Sequence, residues 1–390
     1  MDNLPEPIEL PVIRFDSPTT DYILELEKLR GKALQRTTPD IWFIQLKNAF
    51  MLMESVCSSR IEGNHTTVVE YAERVTQRTL TPEHKNEEDF QEIANLELAI
   101  ELIEKIAKIA NFENAIGQIE CDTSPIDDDF IFKLHRAAVQ GLTREGDPVD
   151  GYRTQGVSIY GSAHEPPGPE SVPGYMRYLL QFINQKDNPK YDLLKIAIAH
   201  HRFVWIHPFT NGNGRTARLL TYAMLLRSFN IPGTHIINPT AIFCADRTKY
   251  YEMLGIADSC ENAGVCAWCD YMLEGLLKEV RKIERLSDKD FVQNRILMPM
   301  IDSAILNKQI TDEVHKILKI AIQKEIFQAS DLASIVSNKY KTSRTIRELL
   351  DAKYIQPIAP NARKYCINLQ SPLFGTLFRV LTKEGFLEEA

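Results

Sequence analysis

Apolar residues recur along most of this chain at intervals of three and four, the spacing that lays one face of an α-helix against a core. PDIWFIQLKNAFMLMESVCSSRIEG opens on a Pro-Asp helix-entry signal, sets Ile41, Ile44, Phe50, Met51 and Val56 at helical spacings, and predicts a helix that stops near Gly63. A second helix follows from about Thr67, and EEDFQEIANLELAIELIEKIAKIA predicts a third. SPIDDDFIFKLHRAAVQG repeats the pattern, with Ser124-Pro125 and a run of aspartates where negative charge suits the helix dipole, and ends at Gly141. VPGYMRYLLQFINQ, YDLLKIAIAHHRFVWIH and GRTARLLTYAMLLRSFN predict three more. A pair at about 249–259 and 265–286 completes a central helical unit, the second running on as a connector.

Three stretches break the pattern. The first 20 residues carry four prolines and predict an extended arm. GDPVDGYRTQGVSIYGSAHEPPGPESVPGYM is rich in glycine and proline, and its alternating run GVSIYG predicts one arm of a small exposed hairpin at about 156–167. The last ninety residues hold three short helical segments, TDEVHKILKIAIQKE, ASDLASIVSN and TSRTIRELLDAKYI, followed by IQPIAPNARKYCINL, which predicts a hairpin. That order matches a winged helix-turn-helix. The expected fold is all-α with a small β-hairpin, in three parts: an N-terminal helical region (1–114), a helical core (115–285) and a winged helix (300–380).

Composition narrows the class. At 390 residues with 44% hydrophobic and 25% charged side chains, the chain is long enough for two or three domains and has a globular balance. A net charge of −8 argues against a surface built throughout for nucleic acid. Charge must be read locally, and between 339 and 353 five basic residues (Lys339, Lys341, Arg344, Arg347, Lys353) outnumber Glu348 and Asp351. The N-terminus shows acids and prolines where a secretory signal has basic residues and an apolar run, and no stretch of about 18 apolar residues would span a membrane. Seven scattered cysteines, an odd number, fit a reducing compartment. The expectation is a cytoplasmic protein without membrane partners.

The densest chemistry lies in HPFTNGNGRTAR, His207 to Arg218, at the joint between two predicted helices. A Gly-Asn-Gly turn opening a helix offers free backbone N–H groups and the positive end of the helix dipole, a site for phosphate. Glycine matters there because a Cβ would hold an anion off. Arg215 and Arg218, three residues apart on the outgoing helix, face one end of the turn and suit two further phosphates. His207, just before the turn, is placed to take a proton from a hydroxyl at neutral pH. Taken singly, a Gly-x-Gly turn, a histidine and two arginines are ordinary features; their joint spacing is what points to a polyphosphate cradle beside a general base.

Position for position the stretch resembles the signature of the Fic family, His-x-Phe-x-acid-Gly-Asn-Gly-Arg-x-x-Arg. The resemblance implies a Fic core and a protein adenylyltransferase, which moves AMP from ATP onto a Ser, Thr or Tyr hydroxyl of a target protein. It implies His207 as the base, Phe209 as the loop's anchor, and Asn213 with the amides of Gly212 to Gly214 on the α- and β-phosphates. Arg215 and Arg218 would grip the β- and γ-phosphates, with Thr216 and Ala217 completing the ATP-binding run. The 156–167 hairpin would be the flap that aligns the target by β-augmentation. Tyr250 and Tyr251 in KYYEML stand where the family places adenine contacts; ordinary helix packing is the rival reading.

One position departs from the pattern. Asn211 stands where most AMP-transferring members have the acid that ligates Mg²⁺. An amide oxygen can coordinate Mg²⁺ but brings no charge. The Doc branch, which resembles Fic but phosphorylates its target, also carries Asn there; it has Lys in place of Arg215 and lacks the second glycine, so Gly214-Arg215 favours AMP transfer. A Doc-like kinase is the enzymatic alternative.

SSRIEGN, far upstream, fits the family's inhibitory pattern at Ser58, Glu62 and Gly63. The resemblance implies that Glu62 pairs with Arg218; an arginine held by a carboxylate cannot also hold a γ-phosphate. A capping box at a helix end is the rival reading.

Remaining signals are structural or open. CENAGVCAWC puts Cys260, Cys266 and Cys269 near one another without a fourth ligand, so packing is expected; adjacent His200 and His201 diverge by about 100° around a helix and are read as core or interface residues. The winged helix has two readings, DNA binding through Lys341, Arg344 and Arg347, or docking of a target or second copy. The first makes a non-enzymatic DNA-binding regulator the remaining alternative. Self-modification and a homodimer are further partner expectations.

Overall fold

The computed structural model describes residues 7–31, 36–77, 87–115, 125–143, 148, 150–159, 161–228, 239–336 and 338–386. Helices dominate them: α1 (Pro18–Gly31), α2 (Asp40–Ile61), α3 (Val68–Gln77), α4 (Glu87–Ala115), α5 (Asp128–Val139), α6 (Val172–Asn184), α7 (Asp192–Ile206), α8 (Asn213–Ser228), α9 (Pro239–Cys244), α10 (Arg247–Ala257) and α11 (Asn262–Ser287). A short α12 (Lys289–Phe291) runs through a π-turn (Val292–Leu297) into α13 (Met298–Leu306), followed by α14 (Asp312–Lys324), α15 (Lys339–Asp351) and α16 (Phe374–Lys383). Three short strands, β1 (Phe327–Gln328), β2 (Ile355–Pro357) and β3 (Lys364–Ile367), form one antiparallel sheet in the order β1-β3-β2. The all-α class is borne out. Among the described residues no helix is long and apolar enough to cross a membrane.

The chain divides into two compact units, and not where the sequence placed its boundaries. The first takes residues 1–33, 54–65 and 83–280; the second takes 34–53, 66–82 and 281–390. The region expected as a separate 1–114 part is thus shared, because α2 carries residues of both units. The boundary expected near 115 abuts 116–124, outside the described residues.

In the first unit α7 and α8 pack together on either side of the loop 207–212, flanked by α4, α5 and α6. α7 buries Leu193, Leu194, Ile196, Ala197, Ile198, Ala199, Phe203 and Ile206, covering every side of the helix rather than one stripe. A helix apolar all round is a helix wrapped by others. α5 starts where Asp127 accepts the Phe130 N–H, so the cap is Asp127 rather than the expected Ser124, which lies outside the described residues. α2 ends at Gly63, whose φ of +103° needs glycine; the space around it is open, so conformation and not crowding sets the residue.

In the second unit the buried face of α2 is Trp42, Phe43, Leu46, Ala49, Phe50 and Met53, whereas Ile44, expected inside, is 54% exposed. The bulk of Trp42 turned inward sets the helix rotation, and Ile44 two residues on faces away. Gln45 fixes this stretch by donating to the Ile367 carbonyl and accepting from the Leu369 N–H. The second of the three expected C-terminal helices shrinks to a 3₁₀ turn at Ala329–Leu332, capped by Gln328 and Asp331. The predicted hairpin is present as β2 and β3, with Ile355 opposite Ile367 and Pro357 opposite Tyr365, and β1 pairs on the far side of β3. α16 follows the hairpin and was not foreseen.

The hairpin expected at 156–167 forms no ladder among its described residues; Tyr160 lies outside them. Pro166 and Pro167 bring no N–H to a ladder, and the segment is anchored by side chains instead: the His164 ring to the Trp205 carbonyl at 2.8 Å, and Arg153 to the Pro167 carbonyl.

Candidate active site

α7 ends at His207, in the left-handed conformation (φ 50°, ψ 60°), with its N–H on the Phe203 carbonyl at 3.1 Å. This reversal lets Pro208 leave the helix and turns the imidazole out of the α7 stack. The ring Nδ1 lies 3.2 Å from the Val204 carbonyl. A carbonyl only accepts, so Nδ1 carries the hydrogen and Nε2 is left with its lone pair, the tautomer a base needs. Burial pushes the imidazole down to about 4, against the Val204 bond and the Glu62 charge, which favour the proton. At neutral pH His207 is therefore neutral and ready to accept.

The loop then folds back on itself. Phe209 is buried, its ring stacked on His135 at 3.7 Å and 7°, with Phe132, Tyr152 and Phe203 around it. Both backbone groups of Phe209 are held by the Asn213 amide, Oδ1 accepting its N–H at 2.9 Å and Nδ2 donating to its carbonyl at 2.8 Å. This corrects the expected role of Asn213, whose side chain shapes the loop instead of pointing at a ligand. Thr216 and Ala217 are also core residues: both are fully buried and Thr216 Oγ1 donates to the Gly212 carbonyl at 2.8 Å, so neither side chain lines a cradle. Gly212 sits at φ +72° with Val139 only 2.5 Å from where a Cβ would be. Gly214 gives the first turn of α8 no side chain of its own, and the Glu62 carboxylate lies where a Cβ would be.

Both arginines are held by carboxylates. Arg218, 2% exposed, donates Nε to Ser58 Oγ at 2.8 Å, and Nη2 to the Ser58 carbonyl at 3.0 Å and to Glu62 Oε1 at 2.8 Å. Its Nη1 is buried without a hydrogen-bond partner among the described residues. Burial pushes the Glu62 carboxyl up, but Arg218, then Arg215 and His207, outweigh it and hold it below its ordinary range. Glu62 therefore lies within the field of both arginines and the base. Its Oε1 is 2.3 Å from where a Cβ on Gly214 would stand, so any side chain at 214 meets the carboxylate. Ser58 and Glu62, singled out from a seven-residue pattern, both bond Arg218, and Gly63 ends the helix that carries them.

Arg215 pairs with Glu92 of α4 at 3.1 Å and donates to the Ala138 carbonyl at 3.2 Å. Glu92 in turn accepts from Asn64, which follows the inhibitory turn, at 3.2 Å. Burial pushes the Glu92 carboxyl up, and Arg215 opposes that. The sequence reading missed Glu92. It missed Arg153 too, 2% exposed, which donates to the carbonyls of His207 (2.8 Å), Gln155 (3.0 Å) and Pro167, while its own N–H holds the Pro208 carbonyl at 2.9 Å. Arg153 ties the base-bearing loop to the 156–167 segment. Nothing local in GYRTQG marks it, because the carbonyls it ties together, those of His207 and Pro167, are 54 and 14 residues away.

Tyr250 is in the core, its hydroxyl 2.9 Å from His200 Nε2, while Tyr251 is 46% exposed and donates to the Ile61 carbonyl at 3.1 Å. Tyr250 thus follows the packing reading, and Tyr251 touches the end of α2. His200 and His201 are buried as expected, on Thr221 and Tyr250 and on Asp258. Cys260, Cys266 and Cys269 are free, and no group of three or more His, Cys, Asp or Glu able to hold a metal ion occurs among the described residues.

Comparison with known proteins places these features. The Fic/DOC family model matches residues 125–225. The chain is 28% identical over 199 residues to a protein adenylyltransferase Fic from Drosophila grimshawi, covering 51% of this chain and 36% of that one. To the protein of the same name from Nematostella vectensis it is 29% identical over 202 residues, 52% and 42% of the two chains. It spans less than half the length of these curated relatives. A Fic family protein from Desulfovibrio desulfuricans G20 shares the fold, with a TM-score of 0.56 at 20% identity over 92% of this chain and 98% of that one.

Proposed function

We propose that this chain, whose residues 125–225 form a Fic/DOC family domain, transfers AMP from ATP to a Ser, Thr or Tyr hydroxyl of a protein and is held idle by its own Glu62. The observation that carries the reading is a neutral imidazole, fixed through Nδ1 on Val204, in the field of a carboxylate that grips Arg218. His207 Nε2 takes the hydroxyl proton as the oxygen attacks the α-phosphorus and the bond to pyrophosphate breaks. The glycine-lined start of α8 receives the phosphates, and Arg218, once released, meets the far end of the triphosphate. While Glu62 holds it, that end has no guanidinium to settle on, and the α-phosphorus is not presented in line.

Mg²⁺ fits this site only as an ion carried by the nucleotide. Asn211 supplies one neutral amide position, with no acidic cluster beside it among the described residues, so phosphate oxygens and water would provide most ligands. The relatives' printed names support a protein target. Modification of the chain's own hydroxyls and pairing with a second copy belong to the same reading.

Asn211 also keeps a phosphoryl-transfer reading alive. ATP labelled at the α- or the γ-phosphate separates the two: AMP transfer leaves the α-label on protein and none of the γ-label, kinase activity leaves the γ-label alone. For the C-terminal region we infer a winged helix, supported by the order α14, β1, 3₁₀ turn, α15, β2, β3. Its basic helix has Arg344 on Glu348 and Lys341 3.9 Å from Glu313, which leaves docking and DNA contact as the two outcomes of a salt-dependent DNA retention assay.

A further inference from the structure

The inhibitory helix carries a cysteine that the mechanism does not use. Cys57 directly precedes Ser58, and Cys244 ends α9. The two helices are already joined one turn away, where Thr240 Oγ1 donates to Glu54 at 3.0 Å in a buried pair. Glu54 and Cys57 are three residues apart, Thr240 and Cys244 four, the spacings that put residues on one face of a helix. Those spacings turn Cys57 and Cys244 to the sides of their helices that carry the Glu54–Thr240 contact, and the Cys57 side chain is near enough to Cys244 to raise its thiol. Neither is in a disulfide, and both residues are partly exposed.

We propose that Cys57 and Cys244 form a reversible disulfide that staples the inhibitory helix to α9 and locks Glu62 on Arg218. The role of the lock rests on the autoinhibited reading above; the disulfide itself does not. The oxidant is a low-molecular-weight disulfide such as oxidised glutathione. The Cys57 thiolate attacks one of its sulfurs, forming a mixed disulfide and releasing one thiolate. Cys244, on losing its proton, attacks the Cys57 sulfur, forming the intramolecular bond and releasing the second thiol. Two protein thiols are oxidised and one small disulfide is reduced to two thiols. Burial, then the bond to Cys57, pushes the Cys244 thiol well up, while the Arg218 guanidinium opposes this, so the second step quickens with rising pH.

The test needs no nucleotide. The full chain is treated with oxidised glutathione, alkylated and digested with trypsin, which places Cys57 in peptide 48–60 and Cys244 in peptide 228–247, each with no other cysteine. The expected result is a linked pair of these two peptides, reversed by dithiothreitol and absent from Cys57→Ser, Cys57→Ala and Cys244→Ser. Amide exchange over 54–62 is expected to slow roughly tenfold in the oxidised wild type, because the link removes openings that free the helix. Glutathione on each peptide without a link, a different cysteine pair, or a link with unchanged exchange over 54–62 overturns the proposal. Since peptide and exchange are read without ATP, the link stands or falls apart from transfer, and a reduced Glu62→Gly chain that transfers no AMP contradicts the proposed function instead.

Discussion

Arg218 and Arg344 are the same side chain in two settings. Arg218, 2% exposed in the first unit, has two nitrogens fixed by Ser58 and Glu62, 160 and 156 residues away in sequence. Arg344, in the second unit, has a side chain 80% exposed and reaches Glu348 four residues along its own helix at 2.7 Å. Water can replace Glu348 at little loss. Water cannot replace the buried partners of Arg218 without opening the fold around them. Charge count treats the two alike; what separates them is the low-dielectric setting, in which a guanidinium gives up a carboxylate only for another anion and its release becomes a switch.

The largest expected effect sharpens the active side of this comparison. In a Glu62→Gly background, His207→Ala should lower transfer of α-labelled AMP by about 10²–10⁴-fold while ATP affinity changes by less than about twofold. With His207 intact in that background, the rate should stay level from pH 8 to near 5 and fall only as the imidazole, held at about 4, takes a proton. A midpoint near 6.5 would mean that the ring is not desolvated as described.

Next in size is the support beneath the base. Arg153→Met should destabilise the protein by about 3 kcal/mol, read as a lower urea midpoint, because three or more buried carbonyls lose a charged donor at once. Glu54→Gln should act through pH. Burial raises the Glu54 carboxyl to about 8, with the Thr240 bond opposing, so the folded state binds this proton more tightly than the unfolded chain does. Its contribution to stability is complete below about 4.5 and is lost as pH rises through 8; the glutamine variant should flatten that slope by on the order of 2 kcal/mol. The smallest effect is Arg344→Ala, which should leave the midpoint of thermal or urea unfolding essentially unchanged. A larger loss there would end the contrast.

Much of this was legible in the sequence where a signal is local. Apolar periodicity placed α2, α4, α7 and α8, Gly63 marked the end of α2, and the twelve-residue motif with SSRIEGN put His207, Arg218 and Glu62 on one site. What escaped depends on tertiary partners. Asn213 looks like a ligand for phosphate until Phe209 offers its backbone, and Thr216 looks like part of the ATP-binding run until Gly212 takes its hydroxyl. Arg153 and Glu92 matter through carbonyls and a guanidinium dozens of residues away, and no spacing rule finds those. The division into units escaped for a related reason, since α2 contributes to both and helical periodicity carries no sign of where a helix changes core.

The account turns on whether the Glu62–Arg218 contact restrains an AMP transferase. Its most direct measurement is incorporation of α-labelled AMP into protein by wild type and by Glu62→Gly at equal concentration. The account predicts label on protein in both and a rate higher by roughly tenfold or more in the variant. Equal rates, or no α-label in either, would contradict it.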